Sequence, residues 1–166
     1  MNRRTTRNTL AAALALTAAL AISGCSSDSS SDSSSGSDGA KPKLTVSGAF
    51  MPEPVNDKMA GAFMVIKNDS KTADKLTAVT SPLSDDLQIH QTKDQKMQQV
   101  QALDVPAGGE LKLQRGGDHV MFMGLKNKPA VGDKITVELR FEKADPVKVE
   151  VDVKERTYNA QNSNAH

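Results

Sequence analysis

Between Leu44 and Val153 the chain alternates apolar and polar positions with a period of two, the pattern of strands buried on one face. It is cleanest near the end. Val147, Val149, Val151 and Val153 share one face, and Lys148, Glu150 and Asp152 share the other. Residues 135–141 (ITVELRF) repeat the pattern, and Ala130-Val131-Gly132-Asp133 forms the turn before them. Leu44, Val46 and the Ala49-Phe50 pair begin the folded part. The prolines and Asn-Asp of MPEPVNDKMAG (51–61) predict a loop. A strand is expected over 62–66, ending at Asn68-Asp69-Ser70, and another over 75–80, broken by Pro82. In 86–91, Leu87 and Ile89 fall on one face, with His90 on the other or at the strand's end. After the polar turn Lys93-Asp94-Gln95-Lys96, a strand starting at Met97 carries Val100, Leu103 and Val105. Its alternation slips over 101–103, where a bulge or break is expected. Pro106-Ala107-Gly108-Gly109 is a strong turn, 110–114 a strand with one apolar face, and Gly116-Gly117 a turn directly before the strand 118–123.

This amounts to about eight or nine short strands and no amphipathic helix, which predicts an all-β fold: a two-sheet sandwich with Greek-key connections. Aromatic residues make up only 3% of the chain, so aliphatic residues and methionines must fill much of the core. That favours packing roles for Met64 and Met123. Met51 and Met59 are expected at the surface or in packing, within a loop able to approach whatever site the domain carries.

The N-terminal segment has a different character. Arg3, Arg4 and Arg7 precede a short apolar run, residues 10–22, which is too short to span a bilayer comfortably. The run ends in Ile22-Ser23-Gly24-Cys25, which resembles the lipobox of bacterial lipoproteins. In such proteins the cysteine becomes the lipidated first residue of the mature chain. Cys25 is the only cysteine, so no intramolecular disulfide can form, and lipidation accounts for a lone exported thiol. Ser26–Ala40 (SSDSSSDSSSGSDGA) has almost nothing to bury and reads as a flexible tether. The expected organisation is a signal peptide over 1–24, lipidated Cys25 and linker over 25–40, a β domain over 41–155, and a polar, disordered tail over 156–166. Processing would remove three arginines and no acid, turning the formal net charge from +1 to −2. With no basic surface interleaved with aromatics, nucleic-acid binding has no support. The only membrane attachment expected is the N-terminal lipid.

The chemistry concentrates between His90 and Met121. On a strand, His119 and Met121 of His-Val-Met point to one face. Imidazole and thioether donors together suit copper, and thioether favours Cu(I), whereas Mg and Ca prefer oxygen ligands. Read alone, the methionines serve equally well as core filler. The folded part contains no cysteine, which argues against thiol redox chemistry and against a blue-copper electron-transfer site. There is no defensible Ser/His/acid arrangement, and no enzymatic activity is expected.

Over roughly residues 43–153 the wording LQIH…M…V…LDVPAGGELKL…GGDHVMFMGLK, with AGAFMVIKN upstream, resembles the PCu(A)C family of extracytoplasmic copper chaperones. The resemblance implies a cupredoxin-like β-sandwich that binds copper, principally Cu(I), through His and Met. It also implies delivery to the dinuclear copper site of cytochrome c oxidase, on subunit II, directly or with another copper chaperone. The family's ligand order maps onto His90, Met97, His119 and Met121, with the expected 21 residues between Met97 and His119. Here only six residues separate His90 from Met97, and Gln91 stands where a methionine often follows the first histidine. Two other readings stay open: a copper buffering or tolerance lipoprotein, and a structural or recognition β-sandwich that binds no metal.

Overall fold

The computed structural model describes residues 41–160. The signal peptide, Cys25 and the Ser/Asp linker lie outside the described residues, as does His166. Ten strands follow one another: β1 (Leu44–Pro52), β2 (Met59–Asn68), β3 (Asp74–Thr80), β4 (Asp86–Lys93), β5 (Lys96–Val100), β6 (Leu103–Val105), β7 (Glu110–Leu113), β8 (His119–Met123), β9 (Lys134–Phe141) and β10 (Val147–Lys154). The expected all-β class is borne out, with ten strands rather than eight or nine.

Two of the differences from the sequence reading affect the site. The predicted loop 51–61 is loop only over residues 53–58, and both of its ends are strand. Met51 and Pro52 close β1, and Met59–Gly61 open β2. Pro52 lacks an N–H, but at the last position of a strand that loss ends the ladder rather than interrupting it. The following Glu53 N–H takes over, donating to the Lys154 carbonyl at 2.7 Å. The segment 97–105 is two strands, divided where the alternation slips. β5 pairs with β4, and β6 pairs with β3.

The larger sheet runs β7-β2-β1-β10-β9-β3-β6, antiparallel except for the parallel β1–β10 pair. The smaller runs β2-β8-β4-β5, antiparallel throughout. β2 belongs to both: its first half, from Met59 to Ala62, pairs with β8, and its second, from Met64 to Lys67, pairs with β7. One core cluster draws on both sheets, with Ile89, Val120 and Phe122 from the smaller and Ile66, Leu76, Val137, Leu139 and Val151 from the larger. Met51 and Met64 are fully buried in it, which confirms the packing role expected of Met64. Met123 does not join them. It sits half-buried on the opposite, outward face of β8, because alternation carries Val120 and Phe122 inward and leaves 119, 121 and 123 outward.

Two buried polar groups staple the loops. Asp74 accepts hydrogen bonds from the Lys143 N–H at 3.0 Å and the Ala144 N–H at 2.8 Å, tying the start of β3 to the loop after β9. Asn68, at the end of β2, donates to the carbonyls of Thr72 and Val105. Residues 156–160 were expected as part of a disordered tail, yet they pack on the domain. The Tyr158 ring meets Phe50 edge-on at 4.9 Å, and Arg115 donates to the Arg156 carbonyl at 2.7 Å.

The β4–β5 connection is the tightest possible hairpin. Asp94 and Gln95 carry φ of 51° and 61°, the double left-handed geometry of a type I′ turn. Gln95 gains nothing there from its side chain, and the left-handed region costs a non-glycine L-residue about 1–2 kcal/mol. Gln95→Gly is therefore expected to stabilise the domain by about 0.5–1 kcal/mol after glycine's larger entropy loss. Urea denaturation measures this directly, and an unchanged or lowered midpoint would count against the assigned strain.

Candidate metal centre

The smaller sheet presents its outer face as the site. Directly paired residues on neighbouring strands point to the same side. The pairs His90 with His119, Gln88 with Met121, Thr92 with Met97, and Gly61 with Met121 thus define one continuous surface. Sequence alternation supplies the outward direction on each strand. Pairing decides which outward residues meet.

The His90 and His119 rings lie 5.3 Å apart between centroids, tilted by 56°. On its other side His119 faces the Phe63 ring at 6.2 Å. His119 is only 5% exposed, an unusual burial for a residue on an outer face. Its Nδ1 lies 2.9 Å from the Gly117 carbonyl. A carbonyl can only accept, so Nδ1 carries the proton and Nε2 keeps its lone pair for a ligand. Thr92 Oγ1 donates to the same carbonyl, and Asp118 accepts from the Thr92 N–H, so the β8 approach loop and the end of β4 are locked together. Gly116 turns that loop at φ +76°, where a side chain would be strained.

His90 is oriented along its own strand. Its Nε2 lies 3.0 Å from Gln88 Oε1, and the Gln88 amide is turned by donating to both Asp86 carboxylate oxygens at 3.3 and 3.2 Å. Residues 86, 88 and 90 share one strand face. The two-residue spacing of this relay is legible in the sequence, where His90 alone of the three carries an imidazole donor. Burial of the ring, and then the neighbouring positive charge available to His119, lower the His90 pKa from its ordinary value. His90 therefore stays neutral, with a free ring nitrogen, at pH values where an ordinary histidine begins to protonate.

Met97, His119 and Met121 line one pocket, together with Met59, Phe63 and Gly61. Met97 is 65% exposed on the edge strand β5, and Met121 is half-buried at the centre. His90 is not part of the pocket wall and reaches the group through its contact with His119. Arg115 and Arg156 stand at the rim, with Arg156 held loosely by Glu53 at 3.6 Å. Of the two loop methionines, Met51 is core and Met59 is on the pocket wall. Phe63 and Gly61 gave no sequence signal. Gly61 leaves open the space opposite Met121, where an added Cβ would meet the Phe63 ring at 3.3 Å.

Among the described residues no group of three or more His, Cys, Asp or Glu could hold a metal ion. The donors beside His119 in this pocket include the sulfurs of Met97 and Met121, which suit a soft monovalent ion better than a hard divalent one. Imidazole nitrogens without protons and neutral thioethers are a coherent donor set for Cu(I).

Comparison with known proteins supports the same direction. Residues 44–153 match the family model for LpqE-like lipoproteins. Lxx21020 from Leifsonia xyli subsp. xyli (strain CTCB07), a curated relative named as a lipoprotein, is 36% identical over 102 residues, covering 58% of this chain. The match spans 61% of that relative's length. The solution structure of the Cu(I) form of DR1885 from Deinococcus radiodurans is 32% identical, with a TM-score of 0.61 over 72% of this chain and 85% of that one. The apo PCuAC domain of PmoF2 matches at a TM-score of 0.64 and 22% identity, over 72% of this chain and 96% of that domain, a likeness of fold.

Proposed function

Because this chain belongs to the LpqE-like lipoprotein family and its folded part is a PCuAC-like cupredoxin domain, we propose that it is an extracytoplasmic carrier of copper. It is an exported, lipid-anchored protein and a binding protein rather than an enzyme. In this reading residues 1–24 are removed, Cys25 carries the lipid, residues 25–40 tether the domain, and 41–155 hold the cargo. His90, Met97, His119 and Met121 bind Cu(I) and release it by ligand exchange for assembly of the cytochrome c oxidase copper site, on subunit II or through a second chaperone. The observation that carries the proposal is the convergence of Met97, His119 and Met121 on one pocket, with the His90 ring against His119.

The residues suit transfer as well as binding. Two imidazoles and two thioethers leave Cu(I) with its single positive charge. His119 is fixed by the Gly117 carbonyl and by the tilted rings of Phe63 and His90, while Met97 is exposed on an edge strand. An incoming donor would displace Met97 first, so the cargo leaves from that side.

An anaerobic Cu(I) titration in competition with a chromophoric chelator tests the reading: one copper per domain is expected, with nitrogen and sulfur neighbours in the absorption spectrum. A folded domain that takes up no Cu(I) would point instead to a recognition module. Transfer to an oxidase subunit II fragment separates delivery from buffering. If the gene's deletion left oxidase activity intact but made cells copper-sensitive, delivery would be replaced by tolerance.

The His90 donor should respond weakly to mild acid. Protons compete with the metal for imidazole nitrogen. Since the His90 pKa lies below its ordinary 6.5, the His90 ring should stay open to copper down to the ordinary value and be lost to protonation only under more acidic conditions. Stability follows the same sign: the unfolded chain takes up the His90 proton first, so this group destabilises the fold as pH drops through 6.5 toward the folded value. An NMR pH titration of the His90 ring in the metal-free domain measures it, and a midpoint at or above the ordinary value would contradict the assigned shift.

A further inference from the structure

We propose that Met59 is an additional cargo donor, a thioether that the His119 pocket uses alongside Met97 and Met121. This rests on the copper reading above and changes its ligand set.

Three observations carry it. Met59 lines the same pocket as Met97, His119 and Met121, whereas His90 does not. Its placement is fixed by pairing. Met59 lies opposite Met123 and Gly61 opposite Met121, which makes Met59 the diagonal neighbour of Met121 on the same face. Diagonal residues on an antiparallel pair are about 7–8 Å apart, within reach of a long, flexible side chain. The intervening position is glycine, so no side chain stands between the two thioethers.

Met59 is also 50% exposed although it begins a well-paired strand, and nothing in the packing of the domain requires its sulfur. Met97 at 65% and Met59 at 50% are the two exposed methionines of the described chain, and they sit on β5 and β2, the outermost strands of the smaller sheet. The buried His119 and half-buried Met121 lie on β8 between them. The pocket thus has a fixed centre and one movable thioether on each flank. Met97, Met121, Met59 and His119 form a complete soft set of one nitrogen and three sulfurs, an alternative to the two-nitrogen, two-sulfur set that includes His90. Exchange between the sets would let copper shift across the sheet face as a recipient displaces one flank, with no change in oxidation state.

Methionine-methyl labelling gives the test. Cu(I) is diamagnetic, so the ε-methyl resonances of the full domain can be followed during anaerobic titration. Met59, Met97 and Met121 are expected to shift together, while core Met51 and Met64 remain in place as internal controls. Shifts of Met97 and Met121 with Met59 unmoved would overturn the inference and leave the copper reading standing. No methyl shift at all would overturn both. Met59→Leu keeps the size of an exposed side chain and removes only sulfur. It should weaken Cu(I) binding on the order of tenfold, the lower end of what even supporting partners of a metal site contribute. It should also lower the sulfur count in the copper absorption spectrum by one. An unchanged affinity and sulfur count would likewise exclude Met59.

Discussion

His119→Ala is expected to weaken Cu(I) binding by more than about 100-fold, since loss of supporting partners alone commonly costs metal sites 10–100-fold. The domain should stay folded. In the proposed copper site His119 is the central donor: its ring lies between Phe63 and His90, and its Nε2 lone pair is fixed by the bond from Nδ1 to the Gly117 carbonyl. Its removal leaves no buried acceptor without a partner, because Thr92 Oγ1 still donates to the same carbonyl at 2.9 Å. The stability loss should therefore be about 1 kcal/mol, the scale of one hydrogen bond. Chelator competition and urea denaturation on the same variant separate the two effects. A variant that binds copper within tenfold of the parent would remove His119 from the centre of the site.

Three residues further along the same strand the opposite outcome is expected. Phe122 is fully buried and is the largest side chain in the core without exposure. Phe122→Ala should destabilise the domain by about 3–5 kcal/mol, from lost transfer energy and the cavity left behind. Ordinary domain stability is only about 5–15 kcal/mol, so this variant would approach unfolding. Any copper affinity it retains when folded at low temperature should match the parent, because Phe122 points away from the donors. A destabilisation below about 1 kcal/mol would mean that the two sheets close over the gap more readily than their packing suggests.

Much of this was legible in the chain. The alternation in β9 and β10, the turns at 106–109 and 116–117, and the slip at 101–103 all marked features that the structure contains, because each depends on residues close in sequence. The His-Val-Met spacing placed His119 and Met121 on one face for the same reason. The loop expected over 51–61 is present at 53–58, but its two ends are strand, because the prolines and polar residues outweigh an apolar pattern too short to register. Its two methionines, eight positions apart, went to opposite fates. Met51 entered the core on β1, and Met59 reached the pocket on β2.

By itself, then, the sequence determined the β class, the outward face of each strand and the soft character of the donors, since a two-residue period and side-chain chemistry are local properties. Only the tertiary structure decided which outward faces meet. The pairing of β8 between β2 and β4, and the sharing of β2 by both sheets, bring residues 59, 90, 97, 119 and 121 onto one surface. Those pairings are fixed by backbone hydrogen bonds between distant segments and by the burial of Val120, Ile89 and Phe122 beneath them, a cooperative choice of register that no short stretch of the chain carries alone.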